Sequence, residues 1–167
     1  NCQDDGEVAK VAKPDVKLPR AVGRVMLIQG ELAAEEANGR SRKLGLGSPV
    51  YEGDSLKSNA RSHAVVAFRD GGRVTLQEST IFKVEQFKFD KVSSEENAAL
   101  RLIKGGVRVV TGLIGRVNRD NYKFAVAGAT IGIRGTGFDA WCNGPCAEGV
   151  KDFGATQGKP LDGAGVF

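Results

Sequence analysis

The sequence is poor in the residues that most chemistry uses. It holds one histidine (His63), three cysteines, one tryptophan and two tyrosines in 167 residues. A single histidine excludes a two-His zinc site and leaves one imidazole for any triad. No run of 18 apolar residues occurs, which excludes a hydrophobic helix that spans a bilayer. The chain begins with Asn1 rather than methionine, so the want of a visible signal peptide carries no information about secretion. What is plentiful is glycine: 23 residues, about twice the usual share of roughly 7%. Glycine in excess, with few Ala- or Leu-rich stretches, predicts an all-β chain with many tight turns. A chain of this size can bury roughly 70% of its unfolded surface, so it needs neither metal nor disulfide to fold.

The net charge is +4, unevenly placed. Residues 1–20 carry four basic and four acidic side chains. They have too little apolar surface to order alone and read as an extended tether. Residues 101–134 carry seven basic residues and one acid, Asp120. Arg101, Lys104, Arg108, Arg116, Arg119 and Lys123 thus form a candidate contact strip for an acidic protein or an anionic envelope polymer, or simply the solvated face of strands. Nucleic acid is not the expected partner, because Tyr122 and Phe124 are too few to give a single strand its stacking platform.

Cys142 and Cys146 flank Asn143-Gly144-Pro145, a turn-forming triplet, and can close a small disulfide loop, which implies an oxidising compartment. Cys2 leaves three alternatives open: a spare thiol, an intermolecular link or a lipid-bearing cysteine.

From Ala21 onward short strands recur every 8–12 residues between glycine turns. That pattern predicts one domain of short antiparallel strands, a sandwich or a short β-solenoid. The clearest hairpin alternates Ala64, Val66 and Phe68, turns at Arg69 to Arg73, and returns through Val74 and Leu76. Residues 80–89 form another apolar strand. Leu100, Leu102 and Lys104 are read as one strand, Gly105-Gly106 as its turn, and Val107 to Thr111 as the return. The segments are a tether at 1–20, a β domain at 21–141 and a Gly-rich extension at 142–167.

Nothing gathers into a catalytic constellation, and no catalytic residue, cofactor or metal ligand is assigned. His63 falls on the face opposite Ala64, Val66 and Phe68. The glycine-rich run Ile131 to Asp139 lacks the helix that a phosphate loop requires. Its Arg134, with five donors, reads instead as a structural clamp at a tight crossing, to Asp139 or Asp70.

Several pieces in order carry a resemblance. They are Gly23-Arg24-Val25, the loop at 45–49, Tyr51 to Ser58 with Gly53-Asp54 at its centre, and Ser62 to Leu76 with Asp70-Gly71. Leu102 to Gly112 and Ala129 to Phe138, with Ile133-Arg134-Gly135-Thr136, complete the set. From Ala21 to Asp139 the chain resembles the FecR-type domain, the extracytoplasmic part of ferric-citrate regulator-like proteins. The resemblance implies an all-β periplasmic or surface domain with no enzymatic activity. Asp54, Asp70, Gly71, Gly132, Arg134, Gly135 and Thr136 are then family-motif residues with structural roles. In regulator members the domain relays a receptor's signal through a membrane helix to a cytoplasmic segment. This sequence shows neither, and its Cys142–Cys146 insertion looks like free-standing secreted members. The family's closing strands are not evident before Phe167, which leaves a sheet edge open to strand addition. The expected function is protein interaction or sensing in the cell envelope. The alternatives are a self-assembling surface subunit and a binder of an anionic polymer.

Overall fold

The structure is a computed structural model that describes residues 19–90, 95–126, 128–133, 136–142 and, for the backbone, 164–166. It is all-β: the described residues form thirteen strands, one short α-helix and one 3-10 turn at Arg119–Asn121. The strands are β1 (Gly23–Gln29), β2 (Leu32–Glu35), β3 (Ser41–Leu44), β4 (Pro49–Val50), β5 (Ser55–Ser58), β6 (His63–Phe68) and β7 (Arg73–Leu76). They continue with β8 (Ile81–Lys88), β9 (Asn97–Val110), β10 (Tyr122–Val126), β11 (Ala129–Gly132), β12 (Gly137–Cys142) and β13 (Ala164–Val166). Helix α1 (Leu113–Val117) follows β9.

Period-two burial explains why these segments become strands. In β6 the buried residues are Ala64, Val66 and Phe68, with the intervening ones half-buried. β7 and most of β8 repeat the pattern. One face of each strand enters a common core and the other meets solvent.

Pairing divides the strands into two halves that share β9. One half runs β3-β2-β5-β8-β9-β10-β11, and the other β4-β1-β6-β7-β9-β12-β13. Residues 97–104 of β9 pair with β8, and residues 107–110 with β7. Among the described residues the chain crosses from one half to the other at Gly30, at residues 45–48, 51–54, 59–62 and 77–80, within β9 itself and at residues 111–121. The two halves fold round a single core, with Phe82, Phe124, Leu56 and Leu102 from one side and Val25, Val66, Val74 and Leu76 from the other. Aromatic pairs bridge the halves: Phe68 with Phe87 at 5.2 Å, and Phe124 edge-on to Phe138 at 4.9 Å.

The crossings stack as a ladder of corners. Asn59 N–H donates to the Glu31 carbonyl, and Ser79 N–H to the Asn59 carbonyl. The Ser58 hydroxyl accepts from Thr80 N–H at 3.0 Å and donates to the Gln77 carbonyl at 2.5 Å. Thr80 Oγ1 in turn accepts from Gly106 N–H at 3.0 Å. Each corner thus satisfies backbone groups of the next, as buried polar groups require.

Two expectations are corrected here. Gly105-Gly106 is not a hairpin turn: β9 runs through it and changes partners. Gly105 has φ +85°, and a Cβ there would lie 2.7 Å from Thr80 Cα and 2.8 Å from the Ser79 carbonyl. The glycine is needed so that the strand can press against the neighbouring corner. Pairing is also not wholly antiparallel, since β10 lies parallel to β9. A parallel return needs a crossover, and residues 111–121, including α1, supply it. The C-terminal extension also contributes a strand, as β13 pairs antiparallel with β12.

Candidate functional site

The motif aspartates, Asp54 and Asp70, lie at two buried polar nodes. Asp54 is 2% exposed. Its carboxylate accepts from Arg42 Nη2 at 2.6 Å, from Arg42 Nη1 at 3.1 Å and from Tyr51 N–H at 2.8 Å. Arg42 also donates to the Pro49 carbonyl at 2.9 Å, and its guanidinium lies over the Tyr51 ring at 5.1 Å. The two-pronged bond to Asp54 holds the Arg42 pKa above its ordinary value. The node fastens β3 to the turn before β5.

Asp70 anchors the second node. Its Oδ1 accepts from Gly72 N–H at 3.0 Å within the β6–β7 turn, where Gly71 has φ +88°. Oδ2 accepts from Ile114 N–H at 3.3 Å, and the Asp70 carbonyl from Leu113 N–H. Asp70 therefore caps α1 from outside the helix, a task that Gly112 at the helix start cannot perform. Burial, the largest effect, pushes the Asp70 carboxyl above the ordinary carboxylate range despite these donors. Nearby Tyr122 is raised too, by burial first and the Asp70 charge second.

The remaining motif residues are placed as follows. The Thr136 carbonyl accepts from both the backbone and the side chain of Thr111, at 2.9 and 3.2 Å. Gly132 lies exposed on β11 with open space where a Cβ would stand. Arg134 and Gly135 lie outside the described residues. Asp139 pairs with Arg108 at 2.8 and 3.1 Å, and Asp70 accepts from Gly72 and Ile114. Cys142 is buried at the end of β12. Cys2 and Cys146 lie outside the described residues.

The basic stretch is divided by the fold. Arg101 and Lys123 lie on the outer face of one half, and Arg101 bonds to Glu85. Arg108 lies on the outer face of the other half, opposite Asp139. Lys104 is exposed at the bend of β9, Arg116 on α1 and Arg119 just beyond it. Arg42, Glu85 and Asp139 are the partners that sequence reading missed. Cross-strand register brings them into place, and no local signal marks them.

Among the described residues no three His, Cys, Asp or Glu side chains gather as a metal site requires. No helix there is long and apolar enough to cross a membrane.

Fold and nodes together define a class: an all-β domain whose buried charges serve its corners and turns. The family model described as "FecR protein" matches residues 54–148, more than half of the chain, and the protein belongs to that family. No curated protein matches the chain. A solved structure named "Cell surface anchoring domain" is 27% identical, over 37% of this chain and 82% of that one, with a TM-score of 0.36.

Proposed function

We propose that the protein is a non-enzymatic, extracytoplasmic domain that binds or senses through protein contact in the cell envelope. Membership of the FecR family is the observation that carries this reading. The use of the buried polar side chains supports it. Of the seven buried polar residues, Asp54, Asp70, Ser58, Ser62, Thr80 and Thr111 bond through their side chains to backbone or to a structural partner. Proximity labelling in the native envelope tests it. Recovery of one envelope protein above background supports the reading, and recovery of none overturns it.

The oxidising compartment rests on pairing of Cys142 with Cys146. The intact mass should rise by about 2 Da on reduction, one hydrogen per sulfur. An unchanged mass would mean free thiols and would remove this support.

A self-assembling surface subunit is the second reading, favoured by one observation. β11 is a four-residue strand without charge, and among the described residues only β10 pairs with it. Such an edge accepts another strand. Light scattering with electron microscopy decides: regular polymers favour this reading, and a monomer at high concentration removes it. The anionic-polymer reading is weakened by the division of residues 101–134 between two faces.

A further inference from the structure

A second basic cluster, drawn from two separate stretches of the sequence, lies on the outer face of β1 and β6. Arg20, Arg24 and Arg69 rim a cleft of about 430 Å³ whose floor includes Gly23, Ala67 and Phe68. Register brings them together, since Arg24 is paired opposite Ala67 and Arg69 lies two residues beyond it. Small floor residues between long arginines make the cleft. Arg73, exposed and paired with Ala67 from the other side, lies outside the cleft's lining on the next strand.

The acid beside these arginines is Asp90, at 3.9 Å from Arg20 Nη1 and 3.6 Å from Arg69 Nη2. Asp90 is 67% exposed, and at those distances it leaves most guanidinium donors unused. Arg69 is fixed by a bond to the Phe89 carbonyl, and Arg24 donates to the Gly47 carbonyl at 3.1 Å. Two of the three arginines are thus held in place before any ligand arrives, which lowers the entropy cost of binding.

We propose that this cleft binds a carboxylate side chain on an acidic segment of a partner protein. Guanidinium forks match carboxylate geometry, and Asp90 already occupies one flank as a carboxylate. The floor favours a peptide over a bare phosphate. Phosphate sites aim backbone N–H groups at the ion, whereas β1 and β6 pair with each other beneath this cleft. The apolar floor instead suits the aliphatic stem of a glutamate. This inference rests on the protein-interaction reading and deepens it by giving the partner's chemistry.

The test uses a fluorescein-labelled Glu-rich peptide, the same peptide with Gln for Glu, and inorganic phosphate as competitor at fixed ionic strength. The Glu peptide should bind and the Gln peptide should not. Arg20→Glu and Arg24→Glu should each weaken binding about tenfold or more, the range of a lost charge contact at an interface. Both side chains are exposed, so folding should survive, and circular dichroism checks this. Arg119→Glu, outside the cleft, should leave binding unchanged. Equal loss with Arg119→Glu, or displacement by phosphate, overturns the proposal. Photo-crosslinkers at position 73 and, on the other half, at position 43 separate its failure from that of the wider reading. A cross-link from 73 that maps to an acidic stretch supports the cleft. Cross-links only from 43 overturn the cleft and leave the interaction reading standing. Cross-links from neither overturn both.

Discussion

Asp70 shows how a motif residue can be indispensable without touching a ligand. It joins the β6–β7 turn to the start of α1, and both amides it serves are buried. Asp70→Asn keeps one acceptor and turns an amide N–H₂ toward the other donor, so it should cost about 2 kcal/mol. The pH dependence has a definite sign. Burial raises the native carboxyl pKa, so the folded state binds the proton more tightly than the unfolded chain. The wild-type contribution is therefore greatest below the ordinary aspartate value and is lost as pH rises through the raised one. Urea midpoints from acid to neutral pH should show the wild type losing ground against Asp70→Asn across that window. A parallel offset would contradict it. Asp54→Ala should cost about 3 kcal/mol, because it strips a half-buried guanidinium of its bidentate partner, and thermal melting reads this directly. The turn around Asp70 was legible in the sequence, since Asp-Gly between two alternating runs is a hairpin signal. That Arg42 would serve Asp54 was not, because the pairing of β3 with β2, and of β2 with β5, determines that approach.

Glycines within strands divide into those that the fold needs and those that it tolerates. Gly105→Ala would force a Cβ against Thr80 Cα and the Ser79 carbonyl at a left-handed φ. It should cost at least about 3 kcal/mol. Gly132→Ala, on a family-motif residue with open space beside it, should change stability by less than about 0.5 kcal/mol. Paired denaturant titrations check both, and similar losses would refute the distinction. Alternation made β6, β7 and β8 readable in advance, because each buries one face only. The role of Gly105-Gly106 was not readable. A hairpin turn and a strand that changes sheets both use glycine there, and Thr80, 26 residues upstream of Gly106, decides between them. Helix α1 escaped notice because five residues are too few to show a helical period.

At the scale of the molecule, sequence charge and surface charge are different quantities. The six described basic residues of the stretch from Arg101 to Lys123 divide across faces, and two of them meet Glu85 and Asp139. Arginines 20, 24 and 69, which the charge distribution along the sequence does not single out, converge. The all-β class was legible from glycine spacing, but the position of each charge depends on which strands become neighbours. The two lateral ends also differ. One closes with a two-residue strand containing Pro49 and with β3, which bears Arg42 and Lys43, features that discourage strand addition. The other ends in uncharged β11. Between them β9 belongs to both halves, and this governs how the protein opens. Edge strands can detach singly, but each amide of β9 donates to an interior strand on one side or the other, and these strands are themselves paired further out. Hydrogen exchange should therefore proceed from the lateral ends toward the middle, with Leu100, Leu102, Val107 and Val109 among the last to exchange. Early exchange at those four, ahead of β3 and β11, would mean that the two halves come apart along β9. Strand β9 thus acts as a lock on unfolding as well as a seam in the fold.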